Sequence, residues 1–290
     1  MLRGGRLLDP PSRTALARVL ASPVWEVLPL ESTRAHARTL PAGAQVSVTA
    51  SPSKPIETTI GLAAELQAAG LRAVPHVSAR MIRDRAHLGE LMHRIVDAGI
   101  VEVFVVGGDA AEPGQYPDGL ALLRAMAEIG HDLRLGIPGY PDGHAFIPPH
   151  RLLDALVAKA PFASYLTTQL CFDAGAITRW IAARRADGLE LPVVLGIPGA
   201  VEPHRLLAVS ARIGVRDTKA FVRKNVGLVG RLVRSGGFYR PDGLLAGLAA
   251  TIANPRAGVQ GLHIYTFNQV EASVAWRTAY LSRIEPVEAA

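Results

Sequence analysis

Eight short runs of aliphatic residues recur along the chain, separated by longer amphipathic stretches, and this alternation constrains the fold more than any other feature. The runs fall at 24–28, 45–49, 72–76, 101–106, 133–137, 165–170, 192–196 and 261–265. Each is rich in Val, Ile or Leu and ends at a polar or Gly/Pro cluster, which predicts strands. The intervening stretches carry helical spacing. In 58–69, Ile60, Ala63, Ala64 and Leu66 share a face and Gly70 follows; in 85–98, Leu88, Leu91, Met92, Ile95 and Val96 do so and Gly99 follows. A glycine just past the last turn is the expected stop. Further helices fit 119–129, 150–159, 174–186 and 204–213. Strands that alternate with helices pair in parallel, because parallel neighbours need a crossover. Between the third and seventh runs the repeat is roughly 30 residues, the size of a βαβ unit.

A (βα)8 TIM barrel is the simplest architecture that satisfies this pattern. Its usual length of about 250 residues suits a single domain over residues 1–290. The interval between the last two strands is long. It holds two more helix-like stretches, 216–234 and 241–253, split by Ser235-Gly236-Gly237, and reads as extra helices in the last crossover. An open doubly wound sheet is the second choice, but no Gly-x-Gly-x-x-Gly follows the first strand.

Composition narrows the class. Hydrophobic residues make up 49% of the chain and charged residues 19%, enough for a large core. No apolar run approaches the roughly 20 residues of a membrane span, and the first residues lack a signal-peptide stretch. The expectation is a soluble, cytoplasmic protein without a membrane partner. A single cysteine, Cys171, excludes an internal disulfide and a cysteine metal cage. The net charge is +6, yet no basic run appears, so no nucleic-acid partner is expected. The positive field favours small anionic ligands.

Active sites of βα barrels lie at the C-terminal ends of the strands, so the residues there are the candidates. Glu26 interrupts the apolar run Val24-Trp25-Glu26-Val27-Leu28 and is expected to point into the barrel mouth. Apolar walls favour its protonated form and suit it to general-acid work; the alternative is a solvent-facing edge position. Asp109 follows Gly107 and Gly108, which allow close backbone approach of a ligand whose N–H the carboxylate accepts. Its alternative is a helix N-cap. Gln169 offers one acceptor and two donors, which suits a planar heterocycle, or else it is a hydrogen-bonded core amide. His76, His144 and His263 come from separate loops, so no metal is expected. No predicted strand ends in a lysine nucleophile, and Cys171 is read as packing.

The stretches VWEVLPLES, QVSVTAS, AVPHVSAR, VFVVGGDAAEP, TTQLCFD, VVLGIPGA and GLHIYTFNQ resemble, in order and spacing, successive strand-end motifs of the methylenetetrahydrofolate reductase family. The likeness runs over about residues 24–276. It implies a βα barrel that carries FAD and reduces 5,10-methylenetetrahydrofolate to 5-methyltetrahydrofolate with NADH or NADPH, in one-carbon metabolism and methionine biosynthesis. Carried over by motif, Glu26 is the general acid that opens the folate to an iminium ion. Asp109 stands near flavin and pterin, Gln169 holds the pterin ring, and Tyr265 lies by the substrate. Thr49, His76, Gly108 and His144 fall on flavin-side positions, and Lys159 matches a flavin-phosphate lysine once a gap is allowed.

The chain also departs from the family. Gly107 stands where an arginine is common before the Gly-Asp, Gln269 replaces an arginine after the last-strand asparagine, and Leu170 and Cys171 break an aromatic run. The aspartate expected after the fifth strand has no match, with Arg151 nearby. Loss of the Gly107-site arginine removes a charge-assisted contact and points to weakened FAD binding. Three other readings follow: direct hydride transfer from nicotinamide to folate without flavin, a folate-binding barrel assisting a methyltransferase, and an unrelated lyase barrel. The last would want a glycine-rich phosphate loop, for which the 196–199 segment is poor because Pro198 lacks an N–H.

Overall fold

The computed structural model describes residues 8–202 and 239–284. Eight strands pair in parallel in chain order, and the last closes on the first. They are β1 (Val24–Val27), β2 (Gln45–Val48), β3 (Arg72–Ser78), β4 (Glu102–Val106), β5 (Arg134–Gly139), β6 (Tyr165–Thr168), β7 (Val193–Pro198) and β8 (Val259–Tyr265). This is the (βα)8 barrel expected from the alternation. Every predicted strand is present, with ends moved by up to two residues.

Strand periodicity sorts the side chains into two cores. Trp25, Val27, Val46, Val48, Val103, Val105, Leu262 and Ile264 point outward and pack under the helices as part of one continuous cluster. Val74, Phe104 and Tyr165 fill the barrel axis. At its N-terminal end the axis is closed by polar groups. Gln45 Nε2 and Arg134 Nη1 both donate to the Glu102 carboxylate, at 3.0 and 3.2 Å. The Arg134 guanidinium also lies over the Tyr165 ring, 5.7 Å from its centroid. With that end plugged, a ligand can reach the axis only at the C-terminal mouth.

The helices are α1 (Pro10–Ala21), α2 (Thr33–Ala37), α3 (Ile56–Ala68), α4 (Arg85–Asp97), α5 (Gly119–Ile129), α6 (Pro149–Lys159), α7 (Ala174–Ala186), α8 (Asp242–Ala253) and α9 (Val270–Ile284). The starts of α4 and α5 are capped by Asp84 and Asp118, whose carboxylates accept from the backbone N–H groups of His87 and Ala121. The cap of α5 is therefore Asp118, and Asp109 is left out of that role. The predicted 241–253 stretch is α8; the predicted 204–213 and 216–234 stretches lie outside the described residues.

Sequence reading does not anticipate α1, α2 or α9. The first has a legible start: Asp9 accepts from Ser12 N at 2.7 Å, and Pro10 and Pro11 open the helix. It lies across the start of β8, where Arg18 donates to the carbonyls of Val259 and Gln260. From α9, Arg277 Nε donates to Leu20 O at 2.7 Å and ties the two helices together. No helix among the described residues is long and apolar enough to cross a membrane.

Candidate active site at the barrel mouth

Glu26 lies between Trp25 and Val27, whose side chains are in the outer core, so its own turns inward. It is 12% exposed. Its Oε2 lies 3.1 Å from His263 Nε2 on the adjacent strand β8 and 3.9 Å from His76 Nε2 on β3. Oε1 has no hydrogen-bond partner among the described residues. The backbone around Glu26 is also fixed. Thr266 Oγ1 donates to Glu26 O at 2.6 Å, and Asn268 Oδ1 accepts from Leu28 N at 2.7 Å. Asn268 Nδ2 donates to Thr33 Oγ1 at 2.9 Å. Phe267 and Asn268 adopt φ of 54° and 57°, a left-handed turn uncommon outside glycine. That turn folds the end of β8 back over β1.

His76 is buried against Phe104, with ring centroids 4.8 Å apart, and its Nε2 is 2.7 Å from Ser47 Oγ. Burial drives its pKa down to about 4; Glu26 opposes that shift and His263 adds to it. The ring is therefore neutral at ordinary pH.

On β8, beside Glu26, the Tyr265 hydroxyl is within donating distance of Gln169 Oε1, 3.0 Å, and Thr168 O, 3.1 Å. Its ring lies 4.9 Å from that of His263. Burial first, then the charge of Glu26, holds the phenol well above its ordinary pKa, so it stays a donor. Gly196 on β7 makes this packing possible, because a Cβ there would collide with Thr168 O and the Tyr265 ring. Gln169 is half-buried just past β6.

The remaining candidates form an outer ring. Asp109 is exposed on the loop after β4. It faces Tyr140, whose phenol is pushed up to about 12 by burial and, secondarily, by Asp109. His144 is exposed on the loop after β5 and packs edge-on to Tyr140, 5.5 Å between centroids. Gly108 has φ of 86°, and a Cβ there would strike Ser78 Oγ. Ser78 Oγ and Thr49 Oγ1, at the ends of β3 and β2, are buried hydroxyls without a hydrogen-bond partner among the described residues. Lys159, at the end of α6, reaches toward Gly119, which lies beside Gly107. Burial lowers its pKa, Asp118 partly offsets this, and it makes no hydrogen bond or ion pair among the described residues.

The structure thus brings Glu26, His76, Gln169 and Tyr265 together inside the mouth, places Asp109 and His144 on its rim, and sets Lys159 behind the rim beside Gly119 and Gly107. Sequence reading misses Ser47 as a site residue and considers His263 only as a metal ligand. Both were accessible through parity: Ser47 aligns with Glu26 across β1–β2, and His263 with Val24 across β1–β8. No group of three or more metal-ligating side chains among the described residues is arranged to hold an ion. Cys171 is in the outer core, and burial pushes its thiol up to about 12, which removes it as a thiolate. A cavity of about 730 Å³ lies elsewhere, between α1, the end of α8 and the start of β8. The one charged side chain lining it, Arg18, is spent on strand carbonyls.

A sequence model described as methylenetetrahydrofolate reductase matches residues 27–208, more than half of the chain. The match begins one residue after Glu26 and ends before β8, so His263 and Tyr265 lie beyond it. Among solved structures, an uncharacterized protein from Clostridium thermocellum that binds two copies of 5-methyl-5,6,7,8-tetrahydrofolic acid superposes with a TM-score of 0.59. It is 12% identical, over 95% of this chain and 100% of that one. A 2,3-dimethylmalate lyase of the PEP mutase/isocitrate lyase superfamily superposes with a TM-score of 0.50 at 10% identity, over 96% of this chain and 88% of that one. At such identities these two structures establish a shared barrel fold.

Proposed function

The chain belongs to the methylenetetrahydrofolate reductase family, and from that premise we propose that it reduces 5,10-methylenetetrahydrofolate to 5-methyltetrahydrofolate with NAD(P)H at the barrel mouth. The observation that carries this reading is the inward-facing Glu26, held at one oxygen by His263 with the other unpartnered. A hydride acceptor must be electron-poor. A proton from Glu26 to a bridging nitrogen of the folate opens the methylene bridge to an iminium carbon, which then accepts hydride. Gln169 holds the pterin ring through its amide, and Tyr265 acts behind it by fixing that amide. Asp109, on the rim, places negative charge beside the cationic intermediate. The Clostridium protein of the same fold binds two copies of 5-methyl-5,6,7,8-tetrahydrofolic acid, which supports a folate ligand here. The soluble substrates suit a cytoplasmic enzyme.

The family likeness implies FAD, and the polar groups at the rim are compatible with its ring. The buried, unpartnered hydroxyls of Thr49 and Ser78 and the close-packed backbone at Gly108 are features of a polar binding wall. Toward the phosphates the chain would offer Lys159, with a glycine and not an arginine at position 107. When bound, FAD supplies a two-electron store between nicotinamide and folate. Thr49, His76, Gly108, His144 and Lys159 would be the residues to hold it.

The test is NAD(P)H oxidation by the purified protein with methylenetetrahydrofolate, with and without added FAD. Formation of methyltetrahydrofolate that rises with FAD supports the reading. Full activity in flavin-free protein, unchanged by FAD, would replace the flavin step with direct hydride transfer. Folate binding without turnover would favour a binding barrel that assists a methyltransferase.

A further inference from the structure

Asp109 makes no hydrogen bond or ion pair among the described residues, although it stands on a long loop between β4 and α5. Its place is set by its neighbours' backbone. The residue that fixes that backbone comes from another strand end. Arg80, two residues past β3, donates from its backbone N to Gly107 O at 3.0 Å. Its Nε donates to Ala110 O at 2.6 Å and its Nη2 to Ala111 O at 2.7 Å. Its own carbonyl accepts from Gly114 N at 3.1 Å. Gln115 N then bonds to the carbonyls of Ile82 and Arg83, so the loop remains on the same short segment.

We infer that Arg80 is the positioning residue for Asp109, gripping the loop on both sides of it so that the carboxylate faces the barrel mouth. The bonds fall at residue 107 before Asp109 and at residues 110 and 111 after it. Ala110 and Ala111 have only methyl side chains, so the loop is held here through backbone carbonyls. A guanidinium suits this task, because its planar fork presents two N–H donors at fixed separation to two successive carbonyls. An ammonium is a single point and holds one of them. Its Nε and Nη2 donors are also spent on the loop. Although Arg80 lies beside Gly107, it does not act as a replacement for the arginine that the family commonly carries there.

The inference rests on the proposed reduction for its kinetic consequence but not for its structural one. Hydrogen exchange and steady-state kinetics are to be measured on the wild type, Arg80→Ala, Arg80→Lys, Asp109→Asn and the double variant Arg80→Ala/Asp109→Asn. In Arg80→Ala, amides within 107–117 should lose protection while the barrel strands keep theirs. The value of kcat should fall by up to about 100-fold, as misplacement of a reacting group can produce, with a smaller change in folate KM. Arg80→Lys, which keeps one of the two carbonyl contacts, should fall between the wild type and Arg80→Ala in both readouts. The double variant should be no slower than the slower single variant within about twofold, because both changes remove one function. Multiplicative losses in the double variant, or unchanged exchange across 107–117 in Arg80→Ala, would overturn the inference. If the wild type shows no reductase activity, the proposed function fails, and the exchange measurement still decides whether Arg80 holds the loop.

Discussion

Glu26 Oε2 and His263 Nε2 meet across the β1–β8 seam at 3.1 Å, and the imidazole anchors one oxygen of an otherwise sparsely bonded carboxyl. A second imidazole, His76, stands 3.9 Å from the same oxygen. A carboxyl so held keeps one orientation in a low-dielectric pocket, which is the requirement for delivering a proton to a fixed point.

Glu26→Gln preserves size and removes the transferable proton. Folate reduction should fall by about 10²–10⁴-fold, the usual loss on removing a general acid. Folate binding should change little. Stopped-flow and steady-state assays of methyltetrahydrofolate formation check this; a variant with near-normal turnover would end the assignment of Glu26 as the acid.

Gln169 and Asp109 should separate in kinetics. Gln169→Ala removes the amide and leaves the Tyr265 hydroxyl on Thr168 O, so folate KM should rise by roughly the worth of one or two hydrogen bonds of about 0.5–1.5 kcal/mol each. Asp109→Asn should act on kcat, because a charge beside the cationic intermediate is lost. Folate titration of the first variant and turnover of the second decide the split; unchanged folate affinity in Gln169→Ala would assign that amide to the fold alone.

His76 makes the fold acid-sensitive. Its pKa is about 4 in the native protein against 6.5 for the free side chain. Between those values the unfolded chain binds more protons, so stability rises with pH across the window. The contribution is complete above about 6.5 and is lost as pH falls toward 4, by roughly 3 kcal/mol in total. Urea midpoints at pH 7.5 and 4.5 should therefore differ more for the wild type than for His76→Gln. An equal difference in both proteins would place the acid sensitivity elsewhere.

Gly107→Arg should strengthen flavin binding. A Cβ at this position meets nothing nearer than Gly119 N at 3.9 Å, so the backbone accepts a side chain. One charge-assisted hydrogen bond contributes about 1.5–3 kcal/mol, which corresponds to roughly ten- to a hundredfold in Kd. The wild type should be isolated pale or colourless and bind added FAD with a perturbed spectrum. Fluorescence titration of both proteins with FAD measures the change, and identical affinities would dissociate Gly107 from the cofactor.

The sequence by itself determined the alternation, the strand count and the parity that turns Glu26 inward, because each depends on local spacing: period two in strands and a near-four-residue repeat in helices. It also carried the family likeness, through motifs at strand ends. Tertiary structure decided which of those ends face one another. Glu26 and His263 are 237 residues apart and meet only because the sheet closes, making the first and last strands neighbours. Arg80 and Ala110 meet because adjacent strands of a staggered barrel bring their following loops side by side. Lys159 matches a motif only once a gap is allowed, and its side chain turns toward Gly119 because the path of α6 sets where it can reach. Local periodicity states the face a residue presents. The partner on that face depends on closure, stagger and loop path, which are properties of the assembled chain.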